Sequence, residues 1–408
     1  MPYFFMPTSA PQKLRNVNVF AASLFLDSFA KRKKHKTMWK ETKVVKNVEY
    51  YNFYARFGAY ATNLAEDKSM LYIGGKEIPI CEAISVCSYD DKVLVQTESE
   101  DGNSYYDIRL YSKDGELLNV VKNTFCIRRE PNIRYNNVFT FRSDDNIRYA
   151  NLVDIETGNK IFEKDYPDVR EVFNNMIFCK QSNRNVIIRY DWDGSIMWQR
   201  DYQPDFNTKI SLQLIEGVCG GKLWVKSKYD GHEILLAIDV NTGKLVMAFS
   251  DSEEDTNLPH CDIGDIGDAY LNFESNHILV VTSDKEGNDF LNFVDAKTLE
   301  VFERTPYSID YDYDNGKEDS LGGITGFQSN YITFWLERYH VDSMPSGFVV
   351  YNYNKKEVVF AHRLFTPEQT GKGRYLRGNT TRIPFYNNGL IFVHDNGDRL
   401  HIFEDVKE

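Results

Sequence analysis

A short polar turn followed by four to six strand-forming residues recurs seven times along this chain. Measured from the second turn residue, successive copies are separated by 46, 38, 46, 55, 54 and 58 residues, the range expected for one four-stranded propeller blade per repeat. One such unit cannot bury both faces of its sheet alone, so the units are expected to stack radially. The turns are Asp90-Asp91, Asn136-Asn137, Asn174-Asn175, Gly220-Gly221, Ser275-Asn276, Ser329-Asn330 and Asn387-Asn388.

A second turn follows in each of the first six copies, after another strand. Most of these turns carry Gly, Asn or Asp, which reach positive φ at low cost, as β-hairpins require. Each unit is therefore predicted to contain a hairpin at the same position as in the neighbouring units. The second turns span residues 113–116, 156–159, 191–194, 241–244, 296–299 and 354–357.

Composition supports an all-β fold. The chain has 27 Phe and 26 Tyr but only 15 Ala, and 8 of those Ala precede residue 66. Aromatic residues favour strands, whereas Ala is the best helix former. The sequence thus predicts a single seven- or eight-bladed β-propeller of four-stranded blades.

Two hairpins resemble those of the quinoprotein-like (PQQ-like repeat) propeller superfamily, whose blades end in Asp-x-x-Thr-Gly. They are Asp239 to Gly243 and Asp154 to Gly158, and the resemblance extends over about residues 83–404. It implies the fold only, because the adjacent cysteines that hold quinone in that family's dehydrogenases are missing from this sequence. The Trp-Asp (WD40-like) repeat pattern fits less well, since Gly231-His232 is isolated and Asp191-Trp192 has the reverse order.

The number of blades depends on the N-terminal region. We interpret residues 1–46 as a basic arm with a possible ring-closing strand or helix and residues 47–408 as the propeller, with 47–80 as a possible degraded first blade. The last repeat ends after its third strand, so an N-terminal strand is expected to complete it and cover the edge. Lys76–Ile80 is the candidate for seven blades and Val17–Leu26 for eight, although residues 17–30 also fit an amphipathic helix.

The sequence predicts a cytoplasmic protein. Residues 1–10 have no basic segment leading into an apolar stretch, and Val17–Leu26 is too short and too polar to span a bilayer. The six cysteines are scattered and include no Cys-x-x-Cys pair, which favours free thiols over a zinc or redox site.

Charge is distributed unevenly along the chain. Residues 1–80 hold 13 Lys and Arg against 6 Asp and Glu, whereas residues 81–408 hold 35 against 54, a net charge of −19. The run Lys31–Lys36 is typical of a nucleic-acid or nuclear-localisation patch, but also of a solvated linker or an arm lying on an acidic body. An acidic propeller disfavours nucleic acid and favours a basic protein partner.

Two acidic segments are candidate sites, and both join one blade to the next. Asp310, Asp312 and Asp314 alternate before Gly316, a spacing that begins many calcium loops, although Leu321 replaces the usual Glu at the twelfth position. A solvated loop is the alternative, and no other cofactor is expected. The second segment is interpreted as a loop that binds a partner through Asp251, Glu253, Glu254, Asp255, Asp262, Asp265 and Asp268.

Sequence motifs of the common enzymes are missing. The chain has no Gly-x-Ser-x-Gly, Walker, His-Glu-x-x-His or helix-opening Gly-x-Gly-x-x-Gly motif. The leading hypothesis is therefore a non-enzymatic, protein-binding scaffold, with an inhibitor or immunity-type protein for a basic partner as one concrete version. The alternative is an enzyme, for example a hydrolase or lyase, whose site assembles from several blades at the mouth of the axial channel.

Overall fold

The computed structural model consists almost entirely of β-strands. Its first described strand is β1 (Trp39–Lys46). The structure describes residues 39–46, 51–53, 59–64, 68–89, 92–99, 106–124, 137–144, 147–155, 157, 160–165, 169–173, 176–181, 184–191, 195–250, 259–307, 319–338, 345–376, 385–387 and 389–405.

The described strands form eight sheets, numbered here in chain order, and strands that follow one another in the chain pair within each sheet. Sheets 1 to 4 occupy the first half of the chain. Sheet 1 contains β2 (Tyr51–Phe53), β3 (Tyr60–Leu64), β4 (Lys68–Ile73) and β5 (Lys76–Cys81); sheet 2 contains β6 (Ala83–Tyr89), β7 (Lys92–Glu98), β8 (Tyr106–Ser112) and β9 (Leu117–Thr124); sheet 3 contains β10 (Asn137–Asp144), β11 (Ile147–Asp154) and β12 (Lys160–Asp165); sheet 4 contains β13 (Val169–Phe173), β14 (Met176–Lys180), β15 (Val186–Tyr190) and β16 (Ile196–Asp201).

Sheets 5 to 8 continue this order in the second half of the chain. Sheet 5 contains β17 (Ile210–Cys219), β18 (Lys222–Tyr229), β19 (His232–Asp239), β20 (Leu245–Ser250) and β21 (His260–Asp262); sheet 6 contains β22 (Asp265–Asn272), β23 (His277–Ser283), β24 (Asp289–Asp295) and β25 (Val301–Pro306); sheet 7 contains β26 (Asp319–Gln328), β27 (Tyr331–Arg338), β28 (Pro345–Asn352) and β29 (Glu357–Arg363); sheet 8 contains β30 (Phe385–Asn387), β31 (Leu390–Asp395), β32 (Arg399–Asp405) and β1.

Consecutive sheets meet through their first strands. β17 contacts β13 on one side and β22 on the other, β22 contacts β26, and β26 contacts β30. In the same way, β2 of sheet 1 contacts β6 of sheet 2. First strands that neighbour one another while later strands lie farther out are the arrangement of blades around an axis. The fold is a β-propeller, as the repeats predict.

Apolar side chains fill the spaces between neighbouring sheets. Phe178 of sheet 4 belongs to one buried cluster with Leu223 and Leu236 of sheet 5, and Phe293 of sheet 6 belongs to another with Phe334 of sheet 7. Burial of each such side chain contributes about 1.5–3 kcal/mol to the free energy of unfolding. The core is therefore divided into layers between blades, which makes each blade depend on its neighbours.

Hydrogen bonds also connect neighbouring sheets. The Trp198 indole nitrogen donates to the Val240 carbonyl at 2.8 Å, and the Tyr202 hydroxyl donates to the Gly243 carbonyl at 2.7 Å. Trp198 lies on the last strand of sheet 4, while both carbonyls lie at the β19–β20 hairpin of sheet 5. This tryptophan thus packs between blades.

The strand β1 pairs antiparallel with β32, from Trp39 opposite Asp405 to Lys46 opposite Arg399. It lies at the edge of sheet 8, as its fourth strand. Of the two candidates from the sequence, Lys76–Ile80 instead pairs with β4 inside sheet 1, and Val17–Leu26 lies outside the described residues.

The connections between sheets contain the only helical turns among the described residues. A 3₁₀ turn (Gln203–Asp205) follows sheet 4, and α1 (Pro367–Gly371) follows sheet 7, where the Thr366 side chain caps its N-terminus. No helix in the described part of the chain is long and apolar enough to cross a membrane.

Candidate functional site

The candidate binding site is one end of sheets 5 and 6, which we call the acidic end. Here the second strand of each sheet turns into the third, and here the chain passes from sheet 5 to sheet 6. The strand register fixes this placement, because Asp265 at the start of β22 lies opposite Ser283, just before the β23–β24 turn. Among the residues that the structure describes, the exposed carboxylates of this end are those of Asp230, Asp262, Asp265, Asp268 and Glu286.

The connection from sheet 5 to sheet 6 is tied to the sheet at both described ends. The chain leaves β20 at Ser250 and returns as β21, which pairs in parallel with β20 from Ala248 opposite His260 to Ser250 opposite Asp262. The Ser250 hydroxyl and the His260 Nε2 atom lie 2.7 Å apart. Asp262 is therefore held at the outer edge of sheet 5.

This finding corrects the interpretation of residues 251–268 as a loop throughout. Asp262 ends β21, while Asp265 and Asp268 belong to β22, which has a bulge between Ile266 and Ala269. A short parallel strand and a bulged strand both lack the regular alternation by which sequence reveals a strand.

The β23–β24 turn, also at the acidic end, keeps the Asp284 carboxylate in its charged form. Asp284 Oδ1 accepts hydrogen bonds from the backbone N–H groups of Glu286 at 2.9 Å and Asn288 at 2.8 Å, and the Asn288 amide donates to Oδ2 at 2.9 Å. The Asn288 side-chain bond is the largest of the contributions that lower the pKa of Asp284, with the backbone bonds adding to it. The carboxylate therefore stays ionised in mildly acidic solution.

Two of the lysines at this end already have partners. Lys226 donates to the Gly267 carbonyl, which joins sheet 5 to sheet 6, and Lys228 forms a 3.1 Å ion pair with Glu233. Lys285 is exposed. Lys209, just before β17, and Arg304 of β25 add two exposed positive charges at this end. Against these five cations the described residues provide eight carboxylates, so the acidic end keeps a local excess of negative charge; they are those of Asp230, Glu233, Asp262, Asp265, Asp268, Asp284, Glu286 and Asp289.

The remaining predicted site residues lie outside the described residues. Asp251, Glu253, Glu254 and Asp255 fall between Ser250 and Pro259, both of which belong to sheet 5's outer edge. Asp310, Asp312 and Asp314 follow Tyr307, whose backbone N–H donates to the Asp289 carbonyl at 2.7 Å, at the acidic end of sheet 6. Both segments thus start from the end that carries the described carboxylates. The calcium loop stays a prediction; within the described residues, no group of three or more His, Cys, Asp or Glu is placed to hold a metal ion.

An ionic cluster around the buried side chains of Asp395 and His401, which we call the seam cluster, joins β1 to the rest of sheet 8. It consists of Glu41, Arg374, Asp395, Arg399 and His401. Asp395 is fully buried, and its Oδ1 accepts from the backbone N–H groups of Gly397 at 2.8 Å and Arg399 at 3.1 Å. The Arg399 guanidinium donates to Asp395 Oδ2 through Nε at 2.7 Å and through Nη2 as well.

The seam cluster places His401 between two carboxylates. Its Nδ1 lies 2.6 Å from Glu41 Oε1, and its Nε2 lies 3.3 Å from Asp395 Oδ2. Burial lowers the pKa of His401, but the hydrogen bonds and charges of Asp395 and Glu41 outweigh burial and raise it overall. Sequence reasoning missed this cluster, because Glu41 and His401 are 360 residues apart.

Two other described histidines, His277 and His260, have contacts within or at the edge of the sheets. His277 Nδ1 lies 3.2 Å from the Tyr353 hydroxyl, and its ring packs on Phe302 with a centroid separation of 4.8 Å. The Ser250–His260 pair resembles part of a nucleophilic site, but it lies between β20 and β21 at the outer edge of sheet 5. It therefore gives no support to an enzyme site at the axial channel.

Comparisons with known proteins find similarity of structure only. No family model matches the chain, and no curated protein is significantly similar in sequence. The Dos1 propeller is 11% identical, with 90% of this chain and 96% of that chain covered and a TM-score of 0.47. The β-propeller domain of the Trilobed protease from Pyrococcus furiosus is 12% identical (80% and 99% covered, TM-score 0.44), and the WD40 domain of SCAP from fission yeast is 8% identical (90% and 98%, 0.42). Similarities this low carry no argument about function.

Proposed function

We propose that this chain is an eight-bladed, non-enzymatic propeller that β1 closes and that binds a basic protein at its acidic end. Two lines of observation support the proposal, one on the ring and one on the charges. The free thiols of Cys81, Cys179, Cys219 and Cys261 fit a reducing compartment, so the proposal places the protein in the cytoplasm.

Contacts of β1 on both of its sides support closure of the ring. The Trp39 ring packs against Tyr331 and Phe360 of sheet 7, with centroid separations of 6.4 and 6.5 Å. On the other side, the Lys43 ammonium lies 4.4 Å from the ring centroid of Tyr72 in sheet 1. Contacts with both neighbouring sheets are what closure of the ring by β1 requires.

The observation that carries the binding proposal is the unbalanced negative charge of the acidic end. Asp262, Asp265 and Asp268 are exposed. Charges of one sign on one surface raise the rate at which an oppositely charged protein associates, and they discourage partners of like charge. A basic protein is therefore the class of partner that this surface fits, and a soluble inhibitor or immunity-type protein would use it in this way.

Capture from a native lysate with two matched variants tests the proposal. The variant D262N/D265N/D268N removes three charges at the acidic end, and D114N/E116Q/E300Q removes three exposed carboxylates at hairpins of the opposite end. Both raise the net charge from −12 to −9, so a general effect of charge would be equal in the two. We expect the first variant to recover roughly five to ten times less of a basic partner than the wild type, and the second to recover a similar amount.

Two results would contradict this expectation. One is recovery of no stoichiometric protein by the wild type. The other is an equal loss in both variants, which would mean that overall charge rather than the acidic end determines binding.

A further inference from the structure

The edge strand β1 is attached to sheet 8 by few buried groups. Of its eight residues, only Trp39 and Val45 are buried, while the other six side chains are exposed. Beyond backbone pairing, the Thr42 hydroxyl donates to the Ile402 carbonyl at 3.3 Å, and Glu41 contacts His401. The Glu41–His401 contact is thus one of the few polar side-chain contacts that join β1 to the rest of sheet 8.

We propose that protonation of His401 locks β1 onto β32, so that this strand is held most tightly in mildly acidic solution and opens more readily as the pH rises. This inference concerns the ring itself and does not depend on which partner the acidic end binds.

The geometry of the imidazole requires the charged form for both contacts to be favourable. A neutral imidazole has one N–H donor and one acceptor nitrogen, whereas the protonated ring has two donors. Glu41 and Asp395 each place a carboxylate oxygen against one ring nitrogen. In the neutral ring, one nitrogen lone pair would therefore face a carboxylate, and one contact would turn from attractive to repulsive.

The other charged and titratable groups around the ring come from every element packed against it. Arg399 of β32 binds Asp395, and Arg374 of the preceding connection lies 3.7 Å from the same carboxylate. His362 of β29 has its pKa lowered by burial, despite the opposing charge of Glu41, and is therefore neutral near neutral pH. Because two arginines offset Asp395, Glu41 is the carboxylate whose attraction depends most on His401.

The direction of the pH effect follows from the His401 pKa, which is raised in the folded protein. A group with a raised folded pKa stabilises the native state fully below its unfolded value, about 6.5 for His, and that contribution is lost as the pH rises through the folded pKa. The lock is therefore complete in mild acid and weakens above about pH 6.5.

Hydrogen exchange of the β1 amides tests the proposal, with rates divided by their intrinsic values to give protection factors. Between about pH 5.5 and pH 8.5, we expect protection of β1 to fall roughly fivefold to tenfold, because one linked proton changes an opening equilibrium by up to about tenfold per pH unit. Amides of β18 in sheet 5, far from the seam cluster, should keep constant protection over the same interval.

Three variants separate His401 from other causes. His401→Gln should remove the pH dependence of β1 protection, whereas His232→Gln, which removes an exposed histidine of sheet 5, should retain it. Because Glu41 is exposed, Glu41→Gln should still fold even if His401→Gln does not. It should weaken the pH dependence of β1 protection, because protection in mild acid should be lower than in the wild type. Constant protection of wild-type β1, or full pH dependence in either seam variant, would overturn the proposal.

Discussion

Deletion of residues 1–46 is expected to lower the melting temperature by about 5 °C or more, or to make the protein insoluble, whereas deletion of residues 1–38 should change it little. The two deletions differ only in β1. Its loss removes Trp39, which is 2% exposed, and loss of a buried Trp side chain typically costs about 3–5 kcal/mol. The deletion also exposes the edge of β32, which favours aggregation.

Thermal unfolding of the two truncated proteins, followed by circular dichroism, measures this difference. Equal melting of both would mean that the ring closes without β1. An equally large loss in both would mean that residues before Trp39 provide the stabilising contacts.

Replacement of Gly220 by Ala is expected to destabilise the protein by about 2–5 kcal/mol, and replacement of Gly221 by only about 1–2 kcal/mol. Both residues have positive φ, +61° and +75°, so both substitutions strain the backbone. A Cβ atom at Gly220 would also lie 2.4 Å from the Ala296 carbonyl carbon in sheet 6, whereas a Cβ at Gly221 would have no atom within 4 Å. The difference between the variants therefore measures how closely sheets 5 and 6 approach.

Chemical unfolding of the two variants gives both free energies under one set of conditions. The backbone of sheet 6 cannot yield by changing a rotamer, so the Gly220 variant should be the less stable of the two. Equal stabilities would contradict the close approach of the β17–β18 turn to the hairpin of the next blade.

The turns and strands could be predicted because their causes are local. The Ser275-Asn276 turn precedes β23, which begins at His277, and Asn276 has the positive φ of +57° that such turns favour. In the Asp239 hairpin, the Asp239 carboxylate accepts from the backbone N–H groups of Asn241 and Thr242 and from the Thr242 hydroxyl. A few neighbouring residues thus specify each turn, and their spacing specifies the repeat.

Some turns depart from the preferred residues and still keep their position. In sheet 6, Asp295 accepts from the backbone N–H groups of Lys297 and Thr298, as Asp239 does from its neighbours. Leu299 has a φ of +67° where the Asp239 hairpin has Gly243. The Asp295 hydrogen bonds and the flanking strands therefore maintain the turn without glycine. For this reason, the spacing of the repeats predicts the hairpins better than a strict sequence motif does.

The position of β1 and the seam cluster could not be predicted in this way. Most of β1 is exposed, so its sequence shows no alternation of apolar and polar residues. Its partners lie at the other end of the chain, and neither spacing nor composition relates residues 360 positions apart. Asp262, Asp265 and Asp268 were found from charge alone, but Asp230, Asp284 and Glu286 were missed. Only the strand register shows that Asp265 and Asp284 share one end of a sheet.

Mapping of zero-length cross-links in native lysate tests the central claim, binding of a basic protein at the acidic end, most directly. A carbodiimide joins a lysine amine to a carboxylate only when the two are in contact, and mass spectrometry then identifies both residues. The account predicts that carboxylates of residues 251–268 and 284–289 become linked to lysines of a basic protein, while Asp114, Glu116 and Glu300 at the opposite end remain largely unlinked. Links to another protein mainly at the opposite end, or equally at both ends, would contradict it.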